Sequence, residues 1–501
     1  MNQDQIPILE QLQRCATRTP HAPFYTPGHK RGQGISPRLA QILGEAVFTV
    51  DLPELPELDN LYEPSGVIHQ AQTLAAAAFG AKQTWFLVNG STAGMIAAIL
   101  ATCNPGDRII LPRNVHQSVI SGLILSGAEG IFIEPEYDPQ WNLVYSITPE
   151  AVQQALTQYS DIKAILIVYP TYEGICGDIQ SIADLAHQAQ IPLLVDEAHG
   201  PHFAFHSALP QSALAAGADL TVQSTHKVLG AMTQAAMIHV QADRINQYRL
   251  SQALQQVQST SPSYLLLASL DAARHQVATV GKKLMSHALQ LSQSARRQLE
   301  SIPGLSVFPD NMNPKPGLRQ VDPTRLTVNV AALGISGYEA DQILDQQLGI
   351  TAELPSLTHL TFIISLGNTQ ADIDQLIQGF TILSKDYDSV STPKINGFKV
   401  NLPASVPQSI ICPRTAFFAP VKRQLLTESI GGMSAELVCP YPPGIPTLIP
   451  GELITSEKIY FLQTALKLGA TITGCSDPTL ETINIIQREE NIDRIVSIDA
   501  L

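Results

Sequence analysis

The run Ser224-Thr225-His226-Lys227 places a hydroxyl, an imidazole and a primary amine within four consecutive positions. It follows a short β-rich run, Leu220–Gln223, and a loop at 228–231 leads on to a second apolar run at 235–240. Lysine condenses with carbonyl groups to form Schiff bases, and strand ends in α/β proteins face the ligand crevice. The plain alternative is a solvated surface lysine, so the other groups at the same edge decide its meaning. In Val195-Asp196-Glu197-Ala198-His199-Gly200, Asp196 ends a strand predicted over 192–195. A carboxylate there can keep a pyridine nitrogen protonated and make the ring an electron sink. Asn89-Gly90-Ser91-Thr92, between a strand and a helix, offers an anion a close backbone approach, free N–H groups and hydroxyls. His116 follows another strand end, and its ring can stack on a flat cofactor. A phosphate cradle, a stacking ring, a pyridine-nitrogen partner and a Schiff-base lysine together describe a pyridoxal 5′-phosphate site.

Rival chemistries fit less well. His199, His202 and His206, with Glu197 adjacent, have spacings of three and four, but Pro201 interrupts the helix that would align them and no H-E-x-x-H occurs. No metal is therefore expected. The phosphate turn is neither G-x-G-x-x-G nor a Walker A motif, and no G-x-S-x-G elbow supports a serine hydrolase.

The elements that position these groups follow a helix–strand rhythm from about residue 68. An alanine-rich helix at 70–79 precedes a strand at 84–88, and a helix at 95–103 follows the glycine-bearing turn. Strands recur at 108–111, 130–133, 164–169, 192–195 and Leu220–Gln223, with helices between. Short apolar strands alternating with helices mean a mostly parallel sheet covered on both faces. Residues 245–301 read as long helices. An α+β stretch follows, with strands at 325–330 and 360–364 and a helix at 338–348, then a polar linker at 386–403 and a proline-rich run at 439–446.

With 501 residues the chain divides into several domains: an N-terminal segment at 1–60, a large α/β domain at 61–300, a small α+β domain at 301–390 and a C-terminal domain at 391–501. A net charge of −14 argues against nucleic acid or an anionic membrane as partner. Six cysteines without a C-x-x-C pair suit reduced thiols in the cytoplasm. No apolar run reaches the roughly 18–20 residues that cross a bilayer.

The motif set resembles the fold-type-I pyridoxal phosphate enzymes and, within them, the ornithine/lysine/arginine decarboxylase family. The resemblance rests on Thr26-Pro27-Gly28-His29-Lys30, Asn89-Gly90-Ser91-Thr92, Arg113-Asn114-x-His116, Pro170-Thr171-Tyr172-x-Gly174, Asp196-Glu197-Ala198-His199-Gly200, Ser224-Thr225-His226-Lys227 and Tyr441-Pro442-Pro443-Gly444-Ile445-Pro446. It implies an aspartate aminotransferase-like large domain with smaller α+β domains after it. It also implies that Lys227 carries the cofactor, that Asp196 pairs with the pyridinium nitrogen, and that His116 and Ala198 flank the ring. Gly90, Ser91, Thr92, Ser224 and His226 would bind the phosphate. Thr171 and His199 would lie near the ring or substrate, His29 at the ligand edge, and Glu452 would be a substrate-side carboxylate for a cationic side chain. The implied reaction decarboxylates a basic L-amino acid, arginine before lysine or ornithine, to a polyamine precursor and CO₂.

Two positions depart from the family pattern: Gln117 replaces a lysine after the histidine, and Met95 replaces an asparagine after the phosphate turn. The chain opens almost directly on the decarboxylase region, without the N-terminal wing of longer bacterial relatives, which implies a homodimer with shared active sites. A transaminase or aldolase would share part of the motif set, but the Tyr441–Pro446 run argues against it. A retired regulatory paralogue would have no need of Lys227.

Overall fold

The computed structural model describes residues 1–387, 411–441 and 444–487. Beyond Tyr387 the linker expected over 386–403 lies outside these residues, as do the 390/391 boundary and Pro442 and Pro443. The chain forms two compact units, each assembled from separated stretches. One comprises Met1–Ala101, Leu194–His287 and Ser365–Gly367; the other comprises Thr102–Leu193, Ala288–Ile364 and Asn368–Leu501.

In the first unit, Leu220–Gln223 and Ala236–Val240 are short, largely apolar and buried on both faces, as strands covered by helices must be. Leu220–Gln223 runs parallel to Leu193–Asp196 and antiparallel to Ala236–Val240, which in turn pairs antiparallel with Gln83–Leu87. The antiparallel return has a local cause. Between Gln223 and Ala236 the chain holds only the four-residue helix Thr225–Val228, which is too little for a parallel crossover. Ser224 to Lys227 therefore sit in a tight helical turn rather than in an open loop.

The helix after the phosphate turn is Gly90–Thr102, starting five residues before the expected 95. Gly90 turns the chain out of the strand at φ +75°, a conformation glycine adopts without strain, so Ser91 and Thr92 fall in the first helical turn. Gly94 serves packing. A Cβ there would lie 2.6 Å from Val222 Cγ1 and 2.7 Å from Leu87 Cδ1, so only glycine lets this helix touch both strands. The long helical stretch is realised as Gln247–Val257 and Tyr264–Glu300. Arg274, fully buried, ties the N-terminus down by donating to the carbonyls of Gln3 (2.9 Å) and Gln5 (2.6 Å), while Asp271 accepts from the Ile8 N–H.

In the second unit Arg108–Pro112 runs parallel to both Glu129–Ile133 and Ile162–Val168. Because all three point the same way, the residues after each strand emerge at one edge: Arg113 to His116, Glu134 and Pro135, and Tyr169 to Glu173. An antiparallel sheet follows, with Arg325–Asn329 between Ser306–Val307 and His359–Ile363. Helices Gly337–Leu348 and Gln370–Tyr387 contribute Leu344 and Phe380 to its core, beside Leu326 and Phe362. Residues 411–487 build a further core around Leu426, Val438, Ile459 and Ile483.

Candidate active site

The first unit gathers most of the predicted site residues. Leu193–Asp196 and Leu220–Gln223 are parallel neighbours, so Asp196 and Ser224 leave them at the same end. Ser224 precedes the short helix without capping it through its side chain; its hydroxyl instead donates to Ser91 Oγ at 2.7 Å. Gly90, Ser91 and Thr92 open a 13-residue helix, whose positive end favours an anion. His226 donates from Nδ1 to the Ala235 carbonyl at 3.0 Å.

Lys227 Nζ lies 2.9 Å from His199 Nε2. A lysine ammonium only donates, so His199 accepts at Nε2 and carries its proton on Nδ1. Asp196 is 6% exposed, and its Oδ1 accepts the Ala198 N–H at 3.2 Å, which fixes the carboxylate plane. Burial pushes the Asp196 carboxyl up, while the charge of Lys227 and the Ala198 N–H pull it down.

Behind this surface lies a network that the motif reading missed. Glu197 is fully buried and accepts from the Ala213 N–H (2.7 Å) and from Gln223 Nε2 (2.8 Å). Gln223 Oε1 faces His239 Nε2 at 3.1 Å, and His239 Nδ1 faces the Thr84 hydroxyl at 2.7 Å. One direction runs through the chain: Thr84 donates to His239, His239 to Gln223, and Gln223 to Glu197. Burial pushes His239 down to about 3 and Glu197 up to about 8, so both are neutral near pH 7. Glu197 was legible as part of the Asp196–Gly200 motif, but its partners on other strands were not.

Two histidines of this unit, His29 among the predicted site residues and His206 only in the rejected metal set, have other work. Both ring nitrogens of His29 are engaged, Nε2 with Asp51 (3.0 Å) and Nδ1 with the Gly32 N–H (3.1 Å), so His29 braces the turn-rich N-terminal segment. His206 is likewise held by Ser286 and the Ala208 N–H.

The second unit holds His116, Thr171 and Glu452. His116 caps the helix Gln117–Ser126, its Nδ1 accepting the Ser118 N–H at 3.2 Å. The Gln117 N–H donates to the Gly444 carbonyl at 3.1 Å, joining the histidine motif to the proline run through backbone that any residue at 117 supplies. Thr171 is 3% exposed. Glu452 differs from expectation: its carboxylate, 1% exposed, already binds Arg113 Nη2 at 3.0 Å and Lys458 Nζ at 2.5 Å, and accepts the Ile449 N–H. With two cations in contact it holds the C-terminal segment and is not an open carboxylate for a third. Arg113 extends the same tie by donating to the carbonyls of Pro446 and Thr447.

A cavity of about 260 Å³ opens beside this cluster, lined by Arg113, Glu134, Thr171, Glu173, Tyr338 and Lys458 among others. Glu173 carried no expectation, since a carboxylate after a strand end has no distinguishing motif.

Comparison with known proteins bears on these arrangements. The family model described as Orn/Lys/Arg decarboxylase, major domain, matches residues 6–315, and that of the C-terminal domain matches residues 403–479. The arginine decarboxylase of Bacillus subtilis (strain 168) is 38% identical, over 98% of this chain and 100% of its own length. The constitutive lysine decarboxylase of Escherichia coli (strain K12) is 23% identical, over 89% of this chain and 75% of its own. In fold, the Francisella novicida lysine decarboxylase superposes with a TM-score of 0.82 at 24% identity, covering 97% of this chain and 82% of that one. An alanine–glyoxylate aminotransferase from Nostoc sp. gives 0.52 at 18%, covering 66% of this chain and 89% of that one. The expected fold-type-I α/β architecture, a mixed and mostly parallel sheet with helices, is therefore the one observed.

Proposed function

Because the chain belongs to the Orn/Lys/Arg decarboxylase family, and is a decarboxylase, we propose that it removes the α-carboxylate of a basic L-amino acid with pyridoxal 5′-phosphate, arginine being the first substrate and lysine and ornithine the next. The observation that carries this reading is the amine of Lys227 held 2.9 Å from His199, with Asp196 buried at the neighbouring strand end. The full-length likeness to arginine decarboxylases ranks arginine first.

The residues present fit the cofactor. Ser91 and Ser224, 2.7 Å apart at a helix N-terminus, suit a phosphate. A buried carboxylate suits a protonated pyridine nitrogen, and a lysine suits an aldehyde. Pyridoxal 5′-phosphate, when bound, supplies an electron sink for the pair released as the Cα–carboxylate bond breaks. Asp196 stabilises positive charge in its surroundings, and the Ala198 N–H prevents the carboxylate from rotating away. Lys227 would hold the cofactor. His199 Nε2, in contact with Nζ, can take and return a proton there. Glu197, Gln223 and His239 hold the strand ends that carry these groups without adding charge. A homodimer, expected from the family resemblance, and a cytoplasmic location belong to the same reading; among the described residues no helix is long and apolar enough to cross a membrane.

The test is CO₂ release by the protein reconstituted with pyridoxal 5′-phosphate and given arginine, lysine or ornithine in parallel. CO₂ and the matching amine are expected, without a keto acid. A keto acid without CO₂ would replace decarboxylation by transamination. Sedimentation of the same preparation at the mass of two chains is expected.

A further inference from the structure

The cavity in the second unit lies off the carboxyl ends of Arg108–Pro112, Glu129–Ile133 and Ile162–Val168, and is lined by Arg113, Glu134 and Val168 at or just beyond those ends. That is where open parallel sheets bind ligands. Much of its wall is apolar, including Val168, Leu354 and Ile445, which suits a chain of methylene groups. Three carboxylates reach it, and they are not equivalent. Glu452 is held between Arg113 and Lys458, and Glu134 acts on Lys458. Glu173 is in contact with the Thr171 hydroxyl and its own backbone N–H, and no cation among the described residues contributes to its environment.

We infer that Glu173 is the specificity-determining carboxylate that binds the cationic head group of the substrate side chain, with Thr171 as its positioning residue. This rests on the proposed action on a basic amino acid. Thr171 is suited to the task because its hydroxyl also accepts the Ile175 N–H at 3.2 Å and its carbonyl accepts the Gly174 N–H at 3.0 Å, so the whole turn presents Glu173 in one place. Enclosure pushes the Glu173 carboxyl up from the usual range; an incoming guanidinium or ammonium supplies a counter-charge that favours its ionised form. A guanidinium can engage both oxygens in parallel.

Steady-state kinetics of the reconstituted enzyme test this, together with calorimetric titration of agmatine, which keeps the guanidinium and methylene chain and lacks the carboxylate. Glu173→Gln is expected to raise KM for arginine by about 10- to 100-fold and to weaken agmatine binding by a similar factor, with kcat changed by less than about threefold. Glu173→Asp, which keeps the charge, recovers most of the loss. Unchanged KM and unchanged agmatine affinity in Glu173→Gln overturn the inference and leave the decarboxylase reading standing. If the wild type releases no CO₂ from arginine, lysine or ornithine, that reading falls, and the agmatine titration alone decides Glu173. Should Glu173→Gln fail to fold, Glu173→Asp decides: its shorter side chain shifts preference from arginine toward homoarginine, and an unshifted ratio overturns the inference.

Discussion

The cluster around Lys227 and the cavity beside Glu173 treat their carboxylates in different ways. Asp196 has Lys227 as an opposing charge, and Glu197 behind it is neutralised by burial and held in a chain of four side chains that reaches Thr84. Glu173 lines a cavity with the Thr171 hydroxyl and its own backbone N–H as its hydrogen-bond partners, and no cation pairs with it among the described residues. A closed network rigidifies a site that performs the same step on every substrate, whereas an uncompensated carboxylate discriminates among substrates, because only a ligand of the right charge completes it. Glu452 shows the third possibility: two cations already complete it, and it serves structure.

The comparison breaks if changes around Lys227 discriminate among amino acids. Lys227→Ala should lower turnover by roughly 10⁴-fold or more for arginine, lysine and ornithine alike; assays on all three check this, and near-normal rates on any would remove Lys227 from the mechanism. Asp196→Asn should lower kcat by about 10²- to 10³-fold, again uniformly, as expected for losing one electrostatic stabiliser in a buried site. Glu173→Gln is the opposite case, a KM effect confined to the basic side chain.

Smaller effects sharpen the structural side. Gly94→Ala forces a methyl against Val222 and Leu87, and overpacking of this kind costs about 1–3 kcal/mol. Because the displaced helix carries Ser91 and Thr92, pyridoxal 5′-phosphate affinity should fall with stability, measured by thermal melting and by cofactor titration. Glu197 yields a pH prediction. Its folded pKa of about 8 stands above the ordinary 4.5, so the folded protein keeps a proton that the unfolded chain loses across that window. Its contribution to stability is full below the window and declines as pH rises through it. Glu197→Gln carries no titrating proton, so denaturant unfolding at about pH 5 and about pH 8.5 should show a smaller loss of stability in the variant than in the wild type.

Much of the Lys227 region was legible in the sequence because its groups lie in contiguous runs at strand ends. The strand Leu220–Gln223 was read at its observed bounds, and Asp196 and Ser224 stand at their strand ends where expected, whereas Lys227 lies in a short helix and not in a loop. The starts of the helices were less legible. Gly90–Thr102 begins earlier than the apolar pattern suggested, since glycine and two hydroxyls can form a first turn as readily as a loop. Glu452 and His29 were legible as chemistry-bearing residues, but their partners were not: Arg113 and Asp51 are distant in sequence and carry no mark of the pairing.

The sequence by itself determined the local chemistry: an amine, an imidazole and hydroxyls after one strand, a carboxylate after another, and a glycine-led helix start for an anion. These are properties of short segments, where residue type and spacing suffice. Tertiary structure alone decided which carboxylate meets which cation. Glu134, Glu173 and Glu452 are the same residue type facing one cavity, yet one acts on Lys458, one lies against a hydroxyl and one is closed between Arg113 and Lys458. The physical reason is that a charge takes its role from neighbours within a few ångströms, and folding can draw such a neighbour, as it draws Arg113 to Glu452, from a segment hundreds of residues away.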